Sequence, residues 1–119
     1  MTVAGFRRIA LSMPQATESA HMGHPDFRVS GKIFATLFRR DDVDFGMVKL
    51  KPEQQRRFVE DDPEAFEPIK GGWGRQGCTQ ARLSAADKAA LQDAIFTAWL
   101  NVAPKRLIDE MDLPGKEIR

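Results

Sequence analysis

The sequence predicts an α+β fold: a two-layer α/β sandwich in which an antiparallel sheet carries helices on one face, in the order α, three or four β, α, two β, α. Three observations predict it. Near both ends of the chain apolar residues recur at spacings of three and four, which is the helical period. Between Glu18 and Leu50 the period falls to two and is broken by short polar turns, the pattern of strands joined by hairpins. Helices that are apolar on one side need a surface to cover, and a sheet supplies it.

Each element has its own grounds. Val3, Phe6, Ile9, Ala10 and Met13 share one face of a helix over residues 3–13, with Thr2 as its cap and Pro14 as its stop. Residues 18–23 are the fourth strand that makes the count three or four. Asp26-Phe27-Arg28-Val29 alternates, Ser30-Gly31 supplies a two-residue turn, and Lys32 to Arg40 continues as a long strand. Strict alternation places Ile33, Ala35 and Leu37 on one face and Phe34, Thr36 and Phe38 on the other. Both faces are then apolar, so this is a central strand with something covering each side at least partly. Asp41-Asp42 turns the chain, and Val43 to Leu50 returns with Val43, Phe45 and Met47 on one face. Gly46 marks a bulge or a close approach on the other. Pro52 opens a helix to about Asp61 that buries Phe58 and Val59. Gly71 to Gly77 holds four glycines and reads as a mobile connection or a hairpin tip. Cys78 to Leu83 is the last strand. Ser84 to Val102 is the longest helix: Ser84 and Asp87 resemble a capping box, and Leu91, Ala94, Ile95, Ala98, Trp99 and Val102 form its stripe. Lys105 to Met111 adds a turn or two of helix, and the tail of about 112–119 is expected to fray.

Composition narrows the function. At 119 residues the chain is expected to be one domain, 1–119. Its 18 Lys plus Arg and 17 Asp plus Glu leave a net charge of +1, so no general field attracts a polyanion. The basic doublets Arg7-Arg8, Arg39-Arg40, Arg56-Arg57 and Lys105-Arg106 fit a mixed-charge surface, the second and third being closely followed by acids. A single Cys makes no internal disulfide, and no apolar run is long enough to span a bilayer. The expected setting is cytoplasmic, without a membrane partner, and a monomer is expected over an obligate oligomer.

Few residues suggest chemistry. His21 and His24 supply half a zinc ligand set, but no second pair accompanies them, so no metal is expected. Cys78 lacks a nucleophile signature and reads as a small buried hydrophobe. No paired carboxylates stand out, and Gly71-Gly72-Trp73-Gly74 lacks the Lys-Ser/Thr end of a phosphate loop. No catalytic residue, cofactor or enzymatic activity is therefore expected. Trp73 and Arg75 are the notable pair. A Trp in such a loop packs back onto the body, the commoner outcome, or is offered as a stacking platform. Lys32, at a hairpin tip, is a second projecting cation.

Several stretches together resemble the MmcQ/YjbR family: Gly23-His24-Pro25-Asp26-Phe27-Arg28-Val29, Gly31-Lys32-Ile33-Phe34-Ala35-Thr36-Leu37, Gly72-Trp73-Gly74-Arg75-Gln76-Gly77, and Ala98-Trp99 with Ala103-Pro104. The resemblance covers about Phe6 to Leu107. It implies a small α/β domain similar to frataxin-like and secretion-chaperone-like folds, and DNA binding through a double wing of hairpins. Family members often carry a Trp near the position of Cys78, where this chain departs. The expectation that follows is weak, salt-dependent binding of double-stranded DNA, with Lys32, Arg39, Arg40 and Arg75 on phosphates and Trp73 stacking. The alternative is a non-enzymatic module that binds a protein or a small ligand with its sheet face and the Trp73 loop. A basic ridged face would favour the first, an apolar groove the second.

Overall fold

A computed structural model describes residues 1–111; the expected fraying of 112–119 lies outside the described residues. The elements run α1 (Val3–Leu11), β1 (Thr17–His21), β2 (His24–Val29), β3 (Lys32–Arg40), β4 (Val43–Lys49), α2 (Pro52–Asp61), β5 (Phe66–Pro68), α3 (Gly72–Arg75), β6 (Cys78–Arg82), α4 (Lys88–Val102) and α5 (Lys105–Glu110). The six strands form one sheet in the order β1-β2-β3-β4-β6-β5. Every neighbouring pair is antiparallel. This is the α+β architecture expected, with the fourth early strand present.

Local chemistry sets the element ends. Three successive hairpins turn on residue pairs with positive φ: Met22 and Gly23 at 52° and 80°, Ser30 and Gly31 at 51° and 78°, Asp41 and Asp42 at 52° and 63°. Two-residue turns of this hand match the twist of the strands they join. Thr2 caps α1 by accepting from the Gly5 N–H at 2.9 Å. That helix stops at Leu11 rather than 13, its C-cap being Ser12. Pro52 leads α2, and the Lys51 N–H donates to the Gln54 side-chain oxygen at 2.8 Å. The long helix begins at Lys88 instead of Ser84, because Asp87 is itself the cap and accepts from the Ala90 N–H at 2.7 Å.

The helices α1, α2 and α4 cover one face of the sheet. Beneath them lie Phe6, Phe27, Phe34, Leu37, Val48, Phe58, Phe66, Leu91, Ile95 and Trp99, all buried. Trp99 is fully enclosed, and its indole N–H donates to the Pro14 carbonyl at 3.1 Å, tying α4 to the end of α1. Gly46 is a close approach, not a bulge: a Cβ there would stand 2.7 Å from Cζ of the Phe6 ring.

The bulge lies elsewhere. Phe27 pairs with Ala35, but Arg28 pairs with Ile33, so Phe34 is an extra residue in β3. The strict alternation expected for this strand fails at that point. Phe34, Ala35 and Leu37 all turn into the core, while Ile33 joins Thr36 and Phe38 on the opposite face, half-buried. Nor is that opposite face covered along its length. Among the described residues only Trp73 of α3 overhangs it, at one edge.

Filling the Gly46 position should force the enclosed Phe6 ring to move. Urea unfolding should show Phe6→Ala costing about 3–5 kcal/mol and Gly46→Ala about 1–3 kcal/mol. In the Phe6→Ala background the Gly46→Ala cost should vanish; equal costs in both backgrounds would refute the contact.

Candidate functional site

The uncovered face is built by every second residue of the central strands. Cross-strand pairing aligns Thr36 with Met47 and Phe38 with Phe45, and carries the row on to Gln80 and Arg82 of β6. Lys49, opposite Cys78, extends the same row of β4. Two adjoining depressions follow this face. One, of about 360 Å³, is lined by His21, His24, Ile33, Thr36, Phe38, Arg39 and Arg40. The other, of about 380 Å³, shares His21, Ile33, Thr36 and Phe38 and adds Met47, Lys49, Ile69, Trp73 and Cys78. Because four residues are common to both, they are lobes of one groove.

Its floor is apolar and half-buried, through Ile33, Phe38, Met47 and Ile69. Its charged lining is all of one sign. Arg39, Arg40 and Lys49 line the lobes, two histidines join them, and among the described residues no Asp or Glu does. The carboxylates on this face are already engaged. Asp26, fully buried, accepts from Nε and Nη2 of Arg28 at 2.8 and 3.0 Å, which holds the Arg28 guanidinium above its ordinary pKa. Glu67 accepts from the Gln80 amide.

Phe45 is enclosed by its own neighbours. Phe38 stacks on it with centroids 5.2 Å apart, and the guanidinium carbons of Arg40 and Arg82 stand 5.0 and 5.3 Å from its centroid. Arg40 also donates to the Gln80 side-chain oxygen at 3.4 Å. Such cation–aromatic contacts orient the guanidinium without neutralising it.

The glycine-rich segment is not a hairpin tip. It folds into the short helix α3, pinned at two points. A Cβ on Gly74 would stand 2.7 Å from the Ile69 carbonyl carbon, and one on Gly77, whose φ is 115°, 2.8 Å from that of Leu50. The Gln55 amide bonds the carbonyls of Gly74 and Cys78, both at 3.0 Å. Trp73 does not pack back onto the body; it is 64% exposed and stands beside Lys49, whose Nζ lies 6.0 Å from the ring centroid.

The five residues expected to contact DNA do not gather on one surface. Arg40 and Trp73 line opposite lobes of the groove. Arg39 reaches the first lobe but is paired with Asp44 at 2.8 Å and Asp42 at 3.9 Å. Lys32 projects from the far end of β3, about 26 Å from Arg40 at roughly 3.3 Å per residue. Arg75 faces α2, in a separate depression with Arg56 and Glu60. Met47 as groove floor and Lys49 as a groove cation were not expected from sequence, although 43, 45, 47 and 49 share one parity. His21 and His24 face each other across β1 and β2, and among the described residues no three metal-ligating side chains converge.

Cys78 is buried, as expected, yet it lines the Trp73 lobe. Burial pushes its thiol pKa up, and the positive charge of Lys49 offsets part of that rise.

The family model described as YjbR matches residues 11–101. Two solved structures share the fold. One is protein DR2400 of Deinococcus radiodurans, described with a DUF419 domain, at 16% identity and a TM-score of 0.70, covering 85% of this chain and 78% of that one. The other is a protein from Pseudomonas syringae, at 16% identity and a TM-score of 0.65, covering 82% of this chain and 96% of that one. No curated protein matches the chain. Among the described residues no helix is long and apolar enough to cross a membrane.

Removing the Lys49 charge should raise the Cys78 pKa further and leave less thiolate at any given pH. The pH profile of iodoacetamide labelling should therefore move upward in Lys49→Met; an unmoved or lowered profile would show that the ammonium does not act on the thiol.

Proposed function

We propose that the chain, which belongs to the YjbR family, is a binding module that seats its ligand on the open face of the sheet, between the Arg40 corner and the Trp73 overhang. One observation carries this reading: a continuous groove whose floor is half-buried apolar side chains and whose charged groups stand around it. Apolar surface held in water is unfavourable, and a ligand that covers it recovers that free energy. Each lobe falls within the range of about 300–1,000 Å³ usual for small-molecule sites. We read the site as one that binds rather than reacts, since burial holds the Cys78 thiol above its ordinary pKa and so in its less reactive form.

Duplex DNA is the second reading. It is supported by Lys32, Trp73 and Arg75, all exposed, and by the cationic lining of the groove. Against it, those three residues stand apart, at the start of β3, over the open face and against α2, and a duplex is too broad to reach a floor set between strands and α3. Affinity for it would come from scattered phosphate contacts alone.

Amide and indole NMR spectra of the full chain separate the two. Titration with a library of small aromatic and aliphatic fragments should move the amides of Ile33, Thr36, Phe38 and Met47 and the indole signal of Trp73, while that of Trp99 stays. A mixed-sequence duplex that moves Lys32 and Arg75, with no fragment touching the open face, would replace the first reading by the second.

A further inference from the structure

We propose that the ligand of the open face is an aromatic organic anion, its flat ring system lying on Phe38 and Met47 beside the Trp73 indole and its acidic group held by Lys49. This rests on the open-face reading above and narrows it to a chemical class. Charge complementarity selects the sign. The chain as a whole is nearly neutral at +1, yet among the described residues every charged side chain lining the groove is a cation. The face's own carboxylates, Asp26 and Glu67, already serve Arg28 and Gln80.

The choice of Lys49 follows from what the other cations already do. Arg39 is paired with Asp42 and Asp44. Arg40 is held against Phe45 and by Gln80. Lys49 has no carboxylate within 4.0 Å among the described residues, and its ammonium faces only the Trp73 ring. An acidic group placed there gains a charge-assisted hydrogen bond.

The flat body follows from Trp73. This indole is exposed and stacks on no other ring among the described residues, yet it sits on a helix wedged against Ile69 and Leu50. A preorganised ring face loses little freedom on stacking and rewards a planar partner more than an alkyl chain. The lobe it borders, about 380 Å³, admits a fused two-ring system.

Three probes test this on the full chain: 8-anilinonaphthalene-1-sulfonate, its uncharged analogue N-phenyl-1-naphthylamine, and decane-1-sulfonate. The aromatic sulfonate should bind with one-to-one stoichiometry, quench Trp73 and leave the near-ultraviolet dichroism of the fold unchanged. It should bind at least about tenfold more tightly than the uncharged analogue, the value of one charge-assisted bond. Lys49→Met should remove about that factor for the sulfonate and leave the uncharged probe unaffected. Trp73→Ala should weaken both aromatic probes, and Lys32→Gln neither.

Equal affinity for the two aromatic probes, or an unchanged sulfonate affinity in Lys49→Met, would overturn the anionic assignment and leave the open-face reading standing. Decane-1-sulfonate binding as tightly as the aromatic sulfonate would overturn the aromatic assignment in the same way. Sulfonate binding unaltered by Trp73→Ala would remove the ligand from this lobe. No binding of any probe by the folded protein would overturn the proposal and count against the open-face reading as well.

Discussion

One extra residue in β3 decides which side chains the domain buries and which it offers. Between Phe27 and Arg28 the partner strand advances by two, and Phe34 fills the gap. Beyond the bulge Ala35 and Leu37 point to the helices; before it Ile33 points the other way. Without that insertion Ile33 would enter the core and Phe34 would lie on the open face, since a shift of one residue exchanges the two sides of a strand. The place of Ile33 in the groove and of Phe34 in the core are thus two consequences of one irregularity. Phe34 brings a large ring to the helical layer, and Ile33 leaves it to line both lobes of the groove.

The helical layer imposes a second constraint from the opposite side of the sheet. Phe6 reaches the sheet only because Gly46 has no side chain, and Trp99 closes the layer by binding the Pro14 carbonyl. At the far edge Gly74 and Gly77 play a matching part for α3: each allows a backbone approach that a Cβ would block, and together they hold Trp73 over the face instead of leaving it on a free loop. Charge sorting completes the surface. Arg39 meets carboxylates, whereas Arg40, Arg82 and Lys49 meet aromatic faces, which do not neutralise them. A chain with almost no net charge therefore presents a cationic groove.

Most of the fold was legible in the sequence because it is local. Periods of 3.6 and 2 marked the helices and strands, and Ser30-Gly31 and Asp41-Asp42 marked their turns. Met22-Gly23, a turn of the same kind, was passed over as strand. Two shortfalls have one physical cause, a tertiary contact with no local trace. The bulge at Phe34 is invisible to alternation, since either face of that strand reads as apolar. The glycines of residues 71–77 suggested mobility, yet Gly74 and Gly77 are there for close packing against Ile69 and Leu50. The site was less legible for a related reason. Lys32 and Arg75 read as two projecting cations because both lie near turns, but Lys32 stands at the start of β3 whereas Arg75 faces α2. Lys49 drew no notice within a strand, although it stands beside Trp73 once β4 and β6 pair.

The bulge puts Ile33 beside Thr36, Phe38 and Met47 on the open face and sends Phe34 into the core. Relaxation of side-chain NMR signals by a soluble, uncharged gadolinium chelate measures this directly in the free protein. Strong relaxation of the Ile33 and Met47 methyl groups is expected, with protection of Leu37 and Val48 under the helices. Ile33 protected to the same degree as Leu37 would mean that β3 runs without the bulge, and the open groove would lose its foundation.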